Sequence, residues 1–302
     1  MKPKNILITG SSGFIAQTLS GYLQKEGHNL SHLSRRMGES SFPTFLWDLK
    51  KNQMDVGALE KNEVIIHLAA TPIAPGRWTK KRRKEILESR TRSSRLLYEQ
   101  LARHENQVTT FISASAIGYY GWDRDGKVFT LSDGRGAGFL AEVVEQWEEE
   151  VDQIKRLGVR VIKLRMGMVL SLKGGALPVM LKPFQWGLGS PLGSGKQMLN
   201  WIHLTDLCRL VSFMLENANL EGPVNAVSPN PITNREMTLQ LGKFLDKPIW
   251  LPPVPGFLLR LILGEMASIV LEGNPVSGQD LLEKGFTFQY PTFEAVLSQE
   301  KF

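Results

Sequence analysis

Apolar residues in this chain occur either in short unbroken runs or in longer stretches where they recur every three or four positions. The short runs predict strands at residues 5–9, 28–34, 64–69, 109–115 and 159–164. The longer stretches predict helices near residues 14–26, 79–104 and 139–157. Because strands and helices alternate, the pattern predicts an α/β fold with a doubly wound parallel sheet that helices cover on both faces.

Turn-forming residues become frequent after about residue 170. Gly174 and Gly175 are followed by a glycine-rich stretch at 187–195 and a proline-rich stretch at 252–255. Such stretches are typical of loops. We therefore expect a sheet domain at residues 1–170 and a smaller mixed C-terminal lobe for substrate at residues 171–302. Within that lobe, we expect a helical segment at residues 200–220 to pack back on the sheet.

The most apolar stretch of the C-terminal part runs from Phe257 to Leu271. It is shorter than a membrane span and carries Arg260 and Glu265. We therefore predict a helix of the core. A basic leader with an apolar centre is not expected either, because the first four residues run directly into the first predicted strand.

The net charge of +6 and the single cysteine narrow the classes of function. Cys208 alone forms neither a disulfide framework nor a cysteine cluster for a metal, which favours a reducing compartment, the cytoplasm. Much of the excess charge lies in the run of residues 79–84. Since no nucleic-acid-binding motif accompanies that run, we interpret it as a solvated helix face. The expected partner is a small molecule, with no nucleic acid, membrane or metal, and a homodimer stays open.

Residues 8–16 read I-T-G-S-S-G-F-I-A, between the first predicted strand and the first predicted helix. This is the context that a dinucleotide-binding turn requires. Gly10 would permit the tight turn, Gly13 would let the backbone approach a pyrophosphate, and Ala16 would allow close helix packing. A turn that merely joins strand to helix is the alternative.

The end of the second predicted strand indicates which dinucleotide is bound. A carboxylate there binds the ribose 2′-hydroxyl of NAD(H), whereas a cation accommodates the 2′-phosphate of NADP(H). This chain has Ser34, Arg35 and Arg36 at that point. The charges therefore favour NADP(H), with two solvated turn arginines as the alternative.

Further motifs follow in a specific order along the chain. They are H-L-A-A at 67–70, R-W-T-K-K-R-R-K-E-I-L-E-S-R at 77–90, S-A-S-A-I-G-Y-Y-G at 113–121, Q-M-L-N-W-I-H-L-T-D-L at 197–207 and E-K-G-F-T-F-Q-Y-P at 283–291. With the glycine turn, they give essentially the whole chain a resemblance to the extended short-chain dehydrogenase/reductase superfamily. Within it, the chain is similar to the atypical subgroup called "epimerase family protein", whose characteristic C-terminal segment would lie at about 250–296.

The resemblance implies a Rossmann-like fold and bound NADP(H). It also implies cofactor contacts from the glycine turn, the ends of two strands and the helix at 79–104, namely Gly10, Ser12, Gly13, Phe14, Ile15, Ser34, Arg35, Leu68, Ala69, Glu85 and Arg90. It implies no substrate, because the name of the subgroup is not a reaction.

In the superfamily, a tyrosine transfers the proton, and a lysine four residues later lowers the pKa of that tyrosine. The matching positions here hold Phe139 and Val143, which cannot move a proton. Ser115 matches the active-site serine, which hydrogen-bonds the substrate oxygen, with a backbone-satisfied strand-end hydroxyl as the alternative. Tyr119 and Tyr120 follow it and are candidates for the general acid, with packing as the alternative.

Other candidates for substrate contacts are Arg77 with Trp78, and Asn200 with Trp201 in the loop that returns from the smaller lobe. An arginine beside a tryptophan suits an anionic or flat ligand. Packing is the alternative for Trp201.

Three further polar residues have structural explanations. His203 and Asp206 lie where a helix begins, so capping is the alternative to a ligand contact. Glu142 would replace the missing acid only if it pointed inward.

We therefore expect an NADP(H)-binding oxidoreductase or epimerase-like enzyme that acts on a small molecule. The alternative from another class is a protein that binds NADP(H) without turnover and reports redox state to a partner. Phe139 and Val143 favour that alternative, whereas the glycine-rich loop at 174–201, which looks built to cover a ligand, favours an enzyme.

Overall fold

The computed structural model describes residues 2–38, 40–74, 76–122 and 126–300. The strands are β1 (Asn5–Thr9), β2 (Asn29–Ser34), β3 (Thr44–Asp48), β4 (Gln53–Met54), β5 (Val64–His67), β6 (Thr110–Ala116), β7 (Arg160–Met166), β8 (Met168–Leu170), β9 (Met198–Leu199), β10 (Trp201–His203), β11 (Gly222–Ala226) and β12 (Ile232–Thr233). The α-helices are α1 (Phe14–Lys25), α2 (Gly57–Glu60), α3 (Lys80–Arg103), α4 (Phe139–Asp152), α5 (Ala176–Gln185), α6 (Leu204–Glu216), α7 (Asn234–Phe244), α8 (Gly256–Leu263), α9 (Ser268–Leu271), α10 (Gln279–Glu283) and α11 (Phe293–Gln299). Short 3-10 helices lie at Ile117–Tyr120, Gln153–Leu157 and Gly264–Ala267.

A central sheet, eight strands wide within these ranges, has the order β11-β7-β6-β5-β1-β2-β3-β4. Its neighbouring strands run parallel except for the edge pair β3–β4, which is antiparallel. The predicted α/β doubly wound sheet is confirmed. Because the strand order changes direction at β1, the carboxyl ends of β1 and β5 open a crevice at the edge where ligands of such sheets bind.

Helices cover both faces of the sheet. Ile6 and Ile8 of β1 belong to the apolar core under α1 and α6, whereas Leu7 belongs to the core under α3 and α4. Successive side chains of a strand point to opposite faces, so a strand buried on both sides needs an unbroken apolar run. This is why runs such as N-I-L-I-T predict the strands correctly.

The sheet continues past the predicted boundary at residue 170. β11 pairs with β7, with Val224 opposite Leu164, and α6 packs on α1 in the same core. The sequence does not predict β11 because Pro223 and Asn225 are poor strand formers. An edge strand tolerates proline, since only one of its sides needs hydrogen-bond donors.

The apolar stretch at 257–271 does not form the predicted core helix. It divides into α8, a 3-10 helix and α9 at Gly264, which has a φ of +63°. No residue of α8 is buried, and the side chain of Phe257 is 74% exposed. In residues 256–271, here called the cover segment, α8 therefore lies on the surface, while Ala267 is buried and Ile269 packs inward.

Polar contacts attach the cover segment to the start of α3. The Arg77 guanidinium donates to the backbone carbonyls of Leu261 and, at 3.0 Å, of Ile262. Arg83 forms an ion pair with Glu265. The guanidinium of Arg77 is thus used by the cover segment and does not line the cavities described below.

Asp206 fastens the C-terminal part of the chain to α6. Its fully buried carboxylate accepts hydrogen bonds from the backbone amides of Gln289 (2.7 Å) and Tyr290 (2.8 Å) and pairs with Arg209 (3.0 Å). His203 caps the same helix, because its Nδ1 accepts from the Thr205 amide at 3.3 Å. His203 therefore has the capping role that its position suggests, whereas Asp206 does not cap α6 but binds a segment more than 80 residues farther along the chain.

The basic run at 79–84 forms the first turn of α3, which Thr79 caps by accepting from the Arg82 amide at 3.2 Å. Carboxylates pair with Arg82, Arg83 and Lys84. Among the helices in the described ranges, none has both the length and the apolar character needed to cross a bilayer.

Replacing Asp206 by alanine should lower the free energy of unfolding by about 3 kcal/mol, because Arg209 loses its carboxylate partner and the backbone amides of Gln289 and Tyr290 lose their acceptor. Urea denaturation would measure this loss. The matched control is Glu216→Ala on the same helix, where an exposed side chain should change the value by less than about 0.5 kcal/mol. Equal effects of the two substitutions would contradict the anchoring role.

Candidate functional site

A chain of buried hydrogen bonds joins the ends of β1 and β5. Thr9 Oγ1 accepts from the amides of Leu68 (3.0 Å) and Ala69 (3.1 Å), so its own proton goes to His67 Nδ1 (2.8 Å). His67 Nε2 therefore carries the ring proton and donates it to Ser93 Oγ at 3.1 Å. Burial lowers the pKa of His67 to about 3, which keeps the imidazole neutral.

The glycine loop lies on this floor. Gly10 has a φ of +75°, and a Cβ there would lie 3.0 Å from the backbone of Ala69, so only glycine fits. Gly13 begins α1 without a side-chain cap, which leaves the N–H groups of the first turn available to an anion. The buried hydroxyl of Ser11 also has no partner in the described part of the chain.

A cavity of about 530 Å³, here called the glycine-loop cavity, opens above the loop. Its lining residues are Gly10, Ser11, Ser12, Gly13, Leu33, Ser34, Arg35, Trp47, Leu49, Leu68, Ala69, Ala70, Thr71, Pro72 and Ser89. Seven of the predicted cofactor residues thus meet here. Among these lining residues Arg35 is the one cation, and none carries a carboxylate.

Two of the predicted cofactor residues line neither this cavity nor the central cavity described below. Arg36 is exposed, and its amide donates to Ser34 Oγ at 3.4 Å. Glu85 is exposed on α3 and pairs with Arg82 at 3.4 Å. The side chain of Arg36 therefore faces solvent, and the side chain of Glu85 faces Arg82 instead of a cofactor.

A second cavity of about 590 Å³, here called the central cavity, adjoins the first and shares Leu68 and Ala70 with it. Phe14 and Ile15 line its near side, and Leu140, Val143, Val144 and Trp147 of α4 form one apolar wall. Its lining residues with polar side-chain groups, apart from the indoles of Trp122 and Trp147, are Arg90, Ser115, Asn200 and Glu272. The two cavities form one continuous cleft along the carboxyl edge of the sheet.

Ser115 closes β6 at the central cavity and is held by a buried carboxylate. Its hydroxyl donates to Glu148 Oε1 at 2.6 Å. Arg165 binds both oxygens of Glu148, with Nε and Nη2 each at 2.8 Å, and Lys163 lies 3.3 Å away. Although burial opposes ionisation, Arg165 and then Lys163 and Ser115 keep the pKa of Glu148 below its usual value.

The two tyrosines that follow Ser115 enclose Arg165 and are absent from the lining of either cavity. The guanidinium carbon of Arg165 lies 3.5 Å from the centre of the Tyr119 ring. Tyr120 is buried, accepts from Arg165 Nη1 at 3.1 Å and donates to Asn225 Oδ1 at 2.8 Å. Burial raises the pKa of Tyr120 despite the nearby arginine. Both side chains have the packing geometry that was the alternative to a general acid.

Arg90 brings a buried cation to the central cavity. Its Nη1 donates to the carbonyls of Ile86 (2.9 Å) and Thr71 (3.1 Å), and its guanidinium lies 5.2 Å from the centre of the Trp147 ring. No carboxylate of the described ranges pairs with it. Burial and the charge of Arg82 lower its pKa to about 10, so it is protonated at neutral pH.

The three remaining predicted substrate residues lie in different places: one lines the central cavity, one is buried in a core, and one lines a third cavity. Asn200 lines the central cavity, but its side chain donates to Asn274 O (2.7 Å) and accepts from the Val276 amide (2.7 Å). Trp201 is fully buried in an apolar core that also contains Leu177 and Phe293. Trp78 lines a third cavity of about 430 Å³, the outer cavity, which lies between α4 and the cover segment.

The structure also locates the residues at the positions of the usual catalytic pair. Val143 lines the central cavity, whereas Phe139 lines the outer cavity and packs against Trp78. Glu142 is exposed and does not point inward. On α4, the carboxylate that does point inward is that of Glu148, which is not among the predicted site residues.

A signal for Glu148 is nevertheless present in the sequence. It continues the buried helical face of Ala141, Val144 and Val151, and the facing strand β7 carries Lys163 and Arg165 on one side. Charged residues within such apolar patterns are rarely buried unless they are paired.

Nowhere in the described ranges do three or more His, Cys, Asp or Glu side chains form a group that could hold a metal ion.

Comparison with known sequences identifies the family of this chain. The family model described as the NAD dependent epimerase/dehydratase family matches residues 6–227. The chain belongs to this family. A second model, for a domain of unknown function (DUF1731), matches residues 254–300, which include the whole cover segment. The predicted resemblance and its C-terminal segment are therefore confirmed.

Similar proteins cover nearly the whole chain. "Epimerase family protein YfhF" of Bacillus subtilis is 35% identical over 98% of this chain and 97% of its own length. The chloroplastic "SDR39U1 homolog" of Arabidopsis thaliana is 36% identical over 94% of this chain and 83% of its own length. The crystal structure of human epimerase family protein SDR39U1 with NADPH has a TM-score of 0.86 and 27% identity, and the match covers 98% of each chain.

His67 should make the stability of the protein depend on pH. Its pKa rises from about 3 in the folded state to 6.5 on unfolding, so stability is lost as pH falls below 6.5. Between pH 8 and pH 5 the wild type should lose about 2 kcal/mol more than His67→Asn, which keeps an acceptor toward Thr9. Urea denaturation at both pH values would measure the difference, and parallel losses would contradict a neutral buried His67.

Tyr120→Phe should destabilise the protein by about 1–3 kcal/mol, because Arg165 and Asn225 lose a buried partner. It should leave NADPH affinity unchanged, since the hydroxyl points away from both cavities. The matched control is Tyr119→Phe, whose hydroxyl makes no hydrogen bond to the described residues. Thermal unfolding would measure the stability and fluorescence titration would measure the NADPH affinity. Weaker NADPH binding in Tyr120→Phe alone would show that the Tyr120 hydroxyl contributes to the binding site.

Proposed function

We propose that this protein binds NADP(H) along the joined cavities and acts as an oxidoreductase or epimerase-like enzyme on a small molecule. The observation that carries the proposal is Arg35 at the mouth of the glycine-loop cavity, with no carboxylate in the lining. A 2′-phosphate needs a cation at this position, whereas the 2′-hydroxyl of NAD(H) prefers an acceptor. The NADPH in the human SDR39U1 structure supports the same choice.

The residues of the cleft fit such a cofactor. The uncapped start of α1, the free Ser11 hydroxyl and the close approach at Gly10 suit a pyrophosphate. Arg90 would supply a second positive charge farther along the cleft, where Val143 replaces the lysine that the superfamily uses. Phe14, Ile15 and Leu68 offer an apolar surface for the nicotinamide between the two cavities.

When bound, the nicotinamide supplies hydride transfer. In this proposal the chain itself binds the phosphates through the glycine loop and the ribose phosphate through Arg35. Ser115 contacts the substrate oxygen, and the apolar wall of α4 excludes water from the reacting groups.

The test compares two neighbouring arginines. Arg35→Ala should weaken NADPH binding about tenfold or more, as expected for the loss of a charge-assisted contact, and should leave NADH binding nearly unchanged. Arg36→Ala is the matched control, because this side chain is exposed and does not line the cavity. Fluorescence titrations with both nucleotides would measure the affinities, and equal NADPH affinity in Arg35→Ala would refute the assignment.

A second candidate function is NADP(H) sensing without turnover, which Phe139 and Val143 favour because neither transfers a proton. A screen of carbonyl compounds with NADPH, monitored at the absorbance of the reduced nicotinamide, distinguishes the two. Substrate-dependent oxidation supports the oxidoreductase. Tight NADPH binding with no oxidation across the screen favours sensing, or an epimerase with no net redox change.

A further inference from the structure

Ser115 can only accept a hydrogen bond from a ligand in the central cavity. A carboxylate has no proton to give, so the 2.6 Å contact uses the proton of the Ser115 hydroxyl. Nothing in the described ranges donates to Ser115 Oγ, which leaves its lone pairs for the cavity. A hydroxyl of the ligand would donate to one of these lone pairs, whereas a carbonyl oxygen would face the Ser115 oxygen with no proton between the two acceptors.

We infer that the central cavity takes an apolar alcohol whose hydroxyl donates to Ser115, and does not take a nucleotide sugar. The inference rests on the proposed function, because it assigns the substrate class of the same cleft. It depends on the direction of one hydrogen bond and on the small number of uncommitted polar groups around it.

Two other polar side chains of the cavity, Asn200 and Glu272, already have protein partners, and the unpartnered indole N–H of Trp147 is itself buried. Asn200 uses its amide on the main chain of Asn274 and Val276. Glu272 pairs with Arg260 at 3.4 Å. A sugar ring would bury several hydroxyl groups here with few partners, and each unsatisfied group would weaken binding.

The charges of the cleft also disfavour a diphosphate beyond that of the cofactor. Arg90 is the one cation lining the central cavity, and the carboxylate of Glu272 lines it as well. In the outer cavity, Arg83 and Arg260 pair with Glu265 and Glu272. The apolar wall of α4 and Ile269 of the cover segment would instead hold a hydrocarbon skeleton.

Glu148 acts as a positioning residue in this arrangement. It lies behind Ser115, where Arg165 grips both of its oxygens and Lys163 adds a second positive charge. This geometry prevents the carboxylate from turning and fixes the direction of the Ser115 proton. The preference for an alcohol therefore originates in Glu148, which contacts Ser115 and does not contact the ligand.

The experiment compares matched probes by NMR titration. 1-Tetralol is titrated into protein that holds NADPH and 1-tetralone into protein that holds NADP⁺, so that neither can react. Tetralin, which has no oxygen, is titrated into both forms as the baseline. Relative to tetralin, tetralol should bind about five- to tenfold more tightly than tetralone, the value of one hydrogen bond. UDP-glucose should not compete with tetralol.

Stronger binding of tetralone, competition by UDP-glucose, or no binding of tetralol would each overturn the inference. A prior NADPH titration keeps it distinct from the proposed function. If NADPH does not bind, the proposed function fails, and the same probes are compared on protein without nucleotide.

Two variants test the role of Glu148. In Glu148→Gln the side-chain amide can donate to Ser115, which releases the serine proton to the cavity, so the preference should reverse toward tetralone. A merely structural role would weaken both probes equally, and that result would refute the positioning role. If Glu148→Gln does not fold, Ser115→Ala should abolish the difference between tetralol and tetralone while tetralin still binds, and a retained difference would refute the contact.

Discussion

The buried ion pair of Glu148 and Arg165 is the interaction on which the site depends. Removing two charges from water is costly, and the structure offsets this cost with a bidentate contact and with a partner for each remaining polar atom. Because Glu148 belongs to α4 and Arg165 to β7, the pair also fixes the helix that forms one wall of the central cavity. The position of α4 and the orientation of Ser115 therefore have a common origin.

Much of the fold is predictable because its signals are local. An apolar run such as V-I-I-H predicts a strand buried on both faces, and the glycine turn predicts where a helix must begin with free N–H groups. The cover segment is not predictable in this way. Its residues are apolar enough for a core, yet its position is set by Arg77 and Arg83, which are about 180 residues away in sequence.

The site divides along the same line. The glycine-loop cavity contains the residues that the sequence indicates, since the loop and the strand ends are each short and contiguous. Around Ser115, sequence proximity misleads: Tyr119 and Tyr120 are its neighbours in the chain, but the 3-10 helix at Ile117–Tyr120 directs them to Arg165. The partner of Ser115 is 33 residues farther on, at Glu148. Contacts of this kind follow from how α4 packs on the sheet.

The anchor of the cover segment has a consequence for the divergence of such proteins. Arg77 holds α8 by main-chain carbonyls, which every amino acid supplies. The outward side chains of α8 can therefore change through mutation without detaching the segment. A gene that encodes this scaffold could in this way acquire new surfaces beside its cleft while the cofactor side remains constant.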